Sequence, residues 1–107
     1  MKTLARLTSD LFSFDGKTAL VTGGGSGIGR FMANALADEG AIILLVGRDE
    51  SKIREALGEQ DGHIFSLDLT EDGASNRLFE MVNDCGFQPD IIINAAGINP
   101  RLHADVI

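Results

Sequence analysis

Five of the chain's 13 glycines fall in one octapeptide, Thr22-Gly23-Gly24-Gly25-Ser26-Gly27-Ile28-Gly29. Such a segment recognises rather than reacts. Backbone N–H groups left unshielded by side chains are donors for an oxyanion, and a helix opening there adds the positive end of its dipole. The ligand that suits this chemistry is the pyrophosphate of a dinucleotide. Gly23 lets the chain turn sharply, the central glycines remove Cβ atoms that would block a phosphate, and Gly29 lets the helix lie close to its support. A phosphate-gripping P-loop is excluded, because Arg30-Phe31 stands where Lys-Ser/Thr is required. The competing reading is a flexible loop with no ligand.

The context of the loop decides between these readings. Thr18-Ala19-Leu20-Val21 is a short apolar run that reads as a buried strand and leads straight into the glycines. Ile28, Met32, Ala35 and Leu36 then follow at helical spacing, and Gly40 is a natural helix stop. Residues 41–46 are apolar on both faces of a second strand, ended by Gly47. Asp49 is placed to cap a helix over Ser51–Leu57, with Gly58 as its stop. His63–Leu67 reads as a third strand. Thr70 is expected to cap a third helix, with Glu71 and Asp72 at its positive end, Leu78, Phe79 and Val82 as its apolar face, and Gly86 as its end. Asp90–Asn94 is the fourth strand.

The order is β-α-β-α-β-α-β. Strands apolar on both faces need helices on both sides, which predicts an α/β fold with a doubly wound parallel sheet. One truncated domain with an incomplete, four-stranded sheet fills residues 1–107, with 1–16 as a leader whose Phe12 and Phe14 are available to pack on its edge. In such sheets ligands lie beyond the carboxyl ends of the strands. Asp68, with Leu69 beside it, follows strand 3 there, and its carboxylate suits an adenine amino group. Asp68-Leu69-Thr70 also suits a simple polar turn into the next helix.

With the motifs Thr22-Gly23-x-x-x-Gly27-Ile28-Gly29, Asp68, and Asn94-Ala95-Ala96-Gly97 in this order, each at the end of a strand, the chain resembles the short-chain dehydrogenase/reductase family from about Phe14 to Pro100. The resemblance implies a Rossmann fold, a nicotinamide dinucleotide cofactor, and hydride transfer to or from a carbonyl or alcohol carbon. By resemblance, the cofactor-binding residues are Gly23, Gly25, Ser26, Gly27, Ile28, Gly29, Arg48, Asp68, Leu69, Asn94, Ala95, Ala96 and Gly97. Asn94 would tie strand 4 to its neighbours, and Ala95, Ala96 and Gly97 would let a ribose approach. Tight packing alone also explains those three small residues. The full-length form would be a homo-oligomer acting on a small molecule.

The end of strand 2 bears on cofactor choice. NAD-preferring members of the family carry an acid at the position of Gly47. Its absence, with Arg48 next in line, suits the 2′-phosphate of NADP, which a guanidinium binds in a fork. Two features favour NAD instead: Ser26 stands at a position basic in many NADP-preferring relatives, and Asp49 is near enough to meet a ribose. A solvated loop charge is the plain reading of Arg48.

No catalytic residue is assigned. The family's proton donor is a Tyr with a Lys four residues later, and this chain has no Tyr, while its lysines are Lys2, Lys17 and Lys52. Ile91-Ile92-Ile93 would make a poor sheet edge, apolar and β-branched. Both points read as the front part of a longer enzyme, weakly stable and aggregation-prone alone, the alternative being an inactive dinucleotide-binding fragment. Asn99, Arg101 and His103 are candidates for a substrate pocket. No His, Cys, Asp or Glu grouping has metal-ligand spacing. Cys85 reads as a buried or half-buried helix-end residue rather than a reactive thiol. The 9 basic residues against 16 acidic give a net charge of −7, and Lys17, Arg30, Arg48, Lys52, Arg54 and Arg77 are scattered in sequence. Nucleic acid and anionic lipid are therefore unsuitable partners. With no signal-peptide core and no apolar run long enough for a membrane span, a cytoplasmic location is expected.

Overall fold

The computed structural model describes residues 14–25 and 27–95. Four strands and three helices alternate along the chain: β1 (Thr18–Thr22), α1 (Gly27–Asp38), β2 (Ile42–Gly47), α2 (Glu50–Leu57), β3 (Gly62–Ser66), α3 (Ala74–Asp84) and β4 (Ile91–Asn94). Each boundary that the hydrophobic pattern sets for a strand falls within a residue of these. The strands pair in parallel in the order β3-β2-β1-β4. The chain therefore winds outward from β1 to β3, then crosses back to place β4 on the other side of β1. That reversal creates a crevice at the carboxyl ends of β1 and β4.

Two apolar layers sandwich the sheet. On one face Ala19, Val21, Ile43 and Leu45 pack with Ala33 of α1 and with Ile53 and Ala56 of α2. On the other, Leu20, Leu44, Val46 and Phe65 pack with Leu78 and Val82 of α3. The doubly wound arrangement follows from strands that present apolar residues to both sides. Burying a Leu, Ile or Phe side chain contributes about 2 kcal/mol each, so β1 and β2, buried along their length, anchor the sheet.

Some helical faces differ from the periodicity. On α1 the buried residues are Gly29 and Ala33, whereas Ile28 and Ala35 are exposed. At Gly29 the helix lies too close to the Gly23 backbone for any side chain, and Leu36 packs partly buried against the α1/α2 core layer. On α3, Phe79 is half exposed and Ala74, Leu78 and Val82 are buried. Thr70 does not cap α3: the helix opens four residues later, after Gly73 in a left-handed conformation. Asp49 does cap α2, its carboxylate accepting from the Lys52 N–H at 3.2 Å. Gly58 and Gly86 end α2 and α3 as the pattern requires. Cys85, expected buried or half-buried, is exposed at the end of α3.

Of the leader, Phe14 packs against the α1/α2 core layer and its N–H donates to the Glu39 carbonyl; Phe12 lies outside the described residues. β4 is pinned at its start by Asp90, whose carboxylate accepts from the Thr18 N–H at 2.9 Å while its own N–H donates to the Thr18 carbonyl. Among the described residues β4 pairs only with β1, and Ile92 is 56% exposed, so one face of this strand lacks the cover that β1 and β2 have. No described helix is long and apolar enough to cross a membrane.

Candidate cofactor-binding site

The glycine segment leaves β1 at the switch point. Gly23 turns the chain at φ +70°, and its N–H donates to the Val46 carbonyl at 2.8 Å, which also accepts from Gly24. The loop is thus fastened to the end of β2 before α1 begins at Gly27. At Gly29 a Cβ would stand 2.1 Å from the Gly23 carbonyl oxygen and 3.2 Å from the Ala95 Cβ. Only glycine lets α1 approach both the loop and the chain beyond β4. This is the close helix packing that the last glycine was assigned.

The middle glycines also serve the packing around the loop. A Cβ on Gly24 would meet the Leu45 side chain at 2.5 Å, and one on Gly25 would meet the Lys52 Cβ at 3.3 Å. Their missing side chains make room for Leu45 of β2 and for Lys52 of α2. Gly27 has open space around it and φ +60°. Ile28 lies on the exposed side of the first turn of α1. Ser26, Ala96, Gly97, Asn99, Arg101 and His103 lie outside the described residues.

Asn94 performs a tie between strands. Its side-chain oxygen accepts from the Thr22 hydroxyl at 2.8 Å, joining the carboxyl ends of β4 and β1. Ala95 beside it is buried. Across β2, the Ser66 hydroxyl donates to the Arg48 carbonyl at 3.2 Å and the Leu67 N–H to the Gly47 carbonyl. The Gly47–Arg48 backbone is therefore held as a ridge, with a cleft on either side. One cleft, about 350 Å³, runs from Gly23 and Gly47 to Asp68 and Leu69. The other, about 210 Å³, runs from Gly23 and Gly25 to Asp49 and Lys52. Arg48 borders both. Residues distant in sequence are thereby assembled at one end of the sheet.

Asp68 is both a turn residue and a cleft residue, so the two sequence readings are compatible. The Thr70 hydroxyl donates to its carboxylate at 2.6 Å and the Thr70 N–H at 2.9 Å. These bonds, with a smaller contribution from the Arg48 charge, hold the Asp68 carboxyl below its ordinary pKa. A depressed folded value means the ionised turn is favoured above the unfolded pKa and loses that advantage as pH falls through the folded pKa. Asp68 is thus an ionised acceptor at neutral and mildly acidic pH. A carbon-detected NMR titration of the Asp68 carboxyl is expected to give a midpoint below the ordinary value, moved upward by Thr70→Val; an unmoved midpoint would contradict the turn's role.

Lys52 was not singled out by the sequence, where it is one of several scattered cations. The signal lay in the cap: with Asp49 as N-cap, Lys52 stands in the first turn of α2, and helical side chains lean toward the N-terminus. Arg54 and Arg77 pair with Glu50 and Glu71. Among the described residues, neither Arg48 nor Lys52 forms a salt bridge. No group of described residues could hold a metal ion.

A doubly wound sheet with a glycine turn at its switch point and clefts beyond β2 defines a dinucleotide-binding α/β protein. The sequence profile described as short chain dehydrogenase matches residues 17–106, and the chain belongs to that family. It is 42% identical over 104 residues to 2-dehydro-3-deoxy-D-gluconate 5-dehydrogenase of Bacillus subtilis (strain 168), covering 90% of this chain and 39% of that protein. It is 38% identical over 95 residues to rat (3R)-3-hydroxyacyl-CoA dehydrogenase, covering 75% of this chain and 36% of the relative. Among solved structures, the Pseudomonas aeruginosa RhlG/NADP active-site complex superposes with a TM-score of 0.75 at 31% identity, over 83% of this chain and 38% of that one. The chain thus spans about two fifths of the length of these proteins. It is a member of an oxidoreductase family that binds nicotinamide dinucleotides.

Proposed function

We propose that this chain is the cofactor-binding part of a short-chain oxidoreductase and that it holds NADP. The observation that carries the reading is the ridge at Gly47–Arg48, where a side-chain-free residue and a guanidinium stand between two clefts. A carboxylate at Gly47 would accept the ribose hydroxyls and repel a 2′-phosphate; here that position carries no side chain, and Arg48 supplies a fork for the phosphate. Gly23, Gly25, Ser26, Gly27, Ile28 and Gly29 would receive the pyrophosphate, Asp68 and Leu69 the adenine, and Asn94, Ala95, Ala96 and Gly97 the ribose side of the nicotinamide. The packing supports this reading: the Gly29 contact holds α1 against the glycine turn, and the Thr22–Asn94 bond fixes the carboxyl ends of β1 and β4 side by side.

The bound cofactor supplies hydride chemistry at a carbonyl or alcohol carbon. This chain's residues bind and orient it; having no tyrosine, they do not include the family's usual proton donor. The substrate is a small carbonyl or alcohol compound in the protein as a whole, residues 1–107 belong to one dinucleotide-binding domain, the location is cytoplasmic, and the whole protein self-associates.

Thermal unfolding tests the cofactor reading. A ligand bound only by the folded state at 100 times its Kd stabilises by about 2.7 kcal/mol, several degrees for a chain of this size. NADP is expected to raise the unfolding midpoint more than equimolar NAD. Equal shifts would return Arg48 to a solvated loop charge, and no shift with either would remove cofactor binding from this chain.

A further inference from the structure

We propose that Thr70 is a positioning residue: by fixing the Asp68 carboxylate in one orientation it makes the cleft beyond β3 select a 6-amino purine over a 6-oxo purine. The inference rests on the cofactor reading above and adds to it a residue and a specificity.

Three observations carry it. First, the larger cleft has walls of two kinds. Val46, Leu67 and Leu69 line it with apolar surface, and both leucines pack against the α3 core layer. Asp68 and Thr70 add polar groups to the same lining. A flat heterocycle suits such a slot, and its edge is read by what the polar groups donate or accept. Secondly, both Thr70 donors go to a single oxygen. Its hydroxyl and its N–H meet Asp68 Oδ1 at 2.6 and 2.9 Å. The Glu71 N–H closes the turn on the Asp68 carbonyl at 3.2 Å. The carboxylate is thereby held in one orientation, and its Oδ2 takes no hydrogen bond among the described residues. Thirdly, the group stays an acceptor. The Thr70 bonds favour its ionised form, and an ionised carboxylate only accepts. Arg48 adds its charge to that effect without forming an ion pair among the described residues. The 6-amino group of adenine donates to Oδ2, whereas the 6-oxo group of hypoxanthine brings a second acceptor and is repelled. Without the Thr70 hydroxyl the carboxylate is free to swing, and the discrimination is lost with its orientation.

The test compares NADP with its 6-oxo analogue, nicotinamide hypoxanthine dinucleotide phosphate, each titrated by calorimetry into the whole chain. The wild type is expected to bind NADP about tenfold more tightly than the analogue, the scale of one charge-assisted hydrogen bond. Thr70→Val keeps the β-branched shape and loses the hydroxyl; it should cut the ratio to about twofold by weakening NADP and sparing the analogue. Thr70→Ser, which keeps the hydroxyl, should restore the ratio. Thr70 is exposed, so circular dichroism of the variants should match the wild type. An equal loss for both ligands in Thr70→Val would make the residue merely structural and overturn the inference, as would an unchanged ratio. If Asp68→Asn abolishes the preference and Thr70→Val does not, Asp68 acts unaided; this inference fails and the cofactor reading stands. Equal binding of the two ligands by the wild type overturns the inference alone, and binding of neither removes the cofactor reading with it.

Discussion

Replacing Gly29 by alanine is expected to unseat α1 and to cost about 3 kcal/mol of stability, at the upper end of overpacking effects. The new Cβ would stand 2.1 Å from the Gly23 carbonyl oxygen and 2.7 Å from its carbon. Neither atom can yield cheaply. The Gly23 turn is fastened by its N–H to Val46, and on the far side Ala95 closes the space. The helix must therefore retreat, withdrawing its first turn from the glycine loop. Dinucleotide affinity should fall with it, by more than the stability loss alone explains. Gly27→Ala is the control. Its φ of +60° strains an alanine by about 1 kcal/mol, but the Cβ meets open space. Denaturant midpoints of the two variants check this: Gly29→Ala should fall much further. Equal small shifts would show that α1 has slack at this contact.

Arg48→Ala is expected to lower NADPH affinity about 10- to 100-fold and to leave NADH within about twofold. That range corresponds to losing one or two charge-assisted hydrogen bonds to a phosphate. The side chain is exposed, while its backbone is held by the Ser66 hydroxyl through an atom the substitution keeps. Folding should be unaffected, so the change can be read as recognition. Fluorescence titration of both cofactors provides the measurement. An unchanged NADPH affinity would remove Arg48 from the site.

Much of the fold was legible because β1 and β2 carry apolar residues on both faces and each glycine stop terminates its element. Parallel pairing follows from that pattern. What could not be read is the side of α1 that lies closest to the sheet. On α1 the periodicity of Ile28, Met32, Ala35 and Leu36 marks hydrophobic residues, but the contact distance selects Gly29 and Ala33. Close approach selects the smallest residues at that contact, while Leu36 packs partly buried against the same layer. The start of α3 escaped for a related reason. Thr70 has the chemistry of a cap, yet both its donors go to Asp68, two residues back, so the chain makes a turn there first.

The site shows the same division. Gly23, Gly29, Asp68 and Asn94 could be found from motif order and strand ends. The partner of Asn94 could not: Thr22 lies 72 residues away in sequence, and only the β1–β4 register brings them together. Lys52 was lost among scattered cations because charge was counted along the chain. In space it shares a cleft with Arg48, one turn into a helix that begins where Arg48 leaves off.

The central claim is that one cofactor lies across the glycine turn, the Gly47–Arg48 ridge and the Asp68 cleft. Amide NMR of the isotope-labelled chain titrated with NADP tests it most directly. Saturable shifts should concentrate at Gly23–Gly29, at Gly47–Lys52 and at Asp68–Leu69, with a single apparent Kd for all three. Shifts confined to other surfaces, or three segments responding with unrelated affinities, would contradict it.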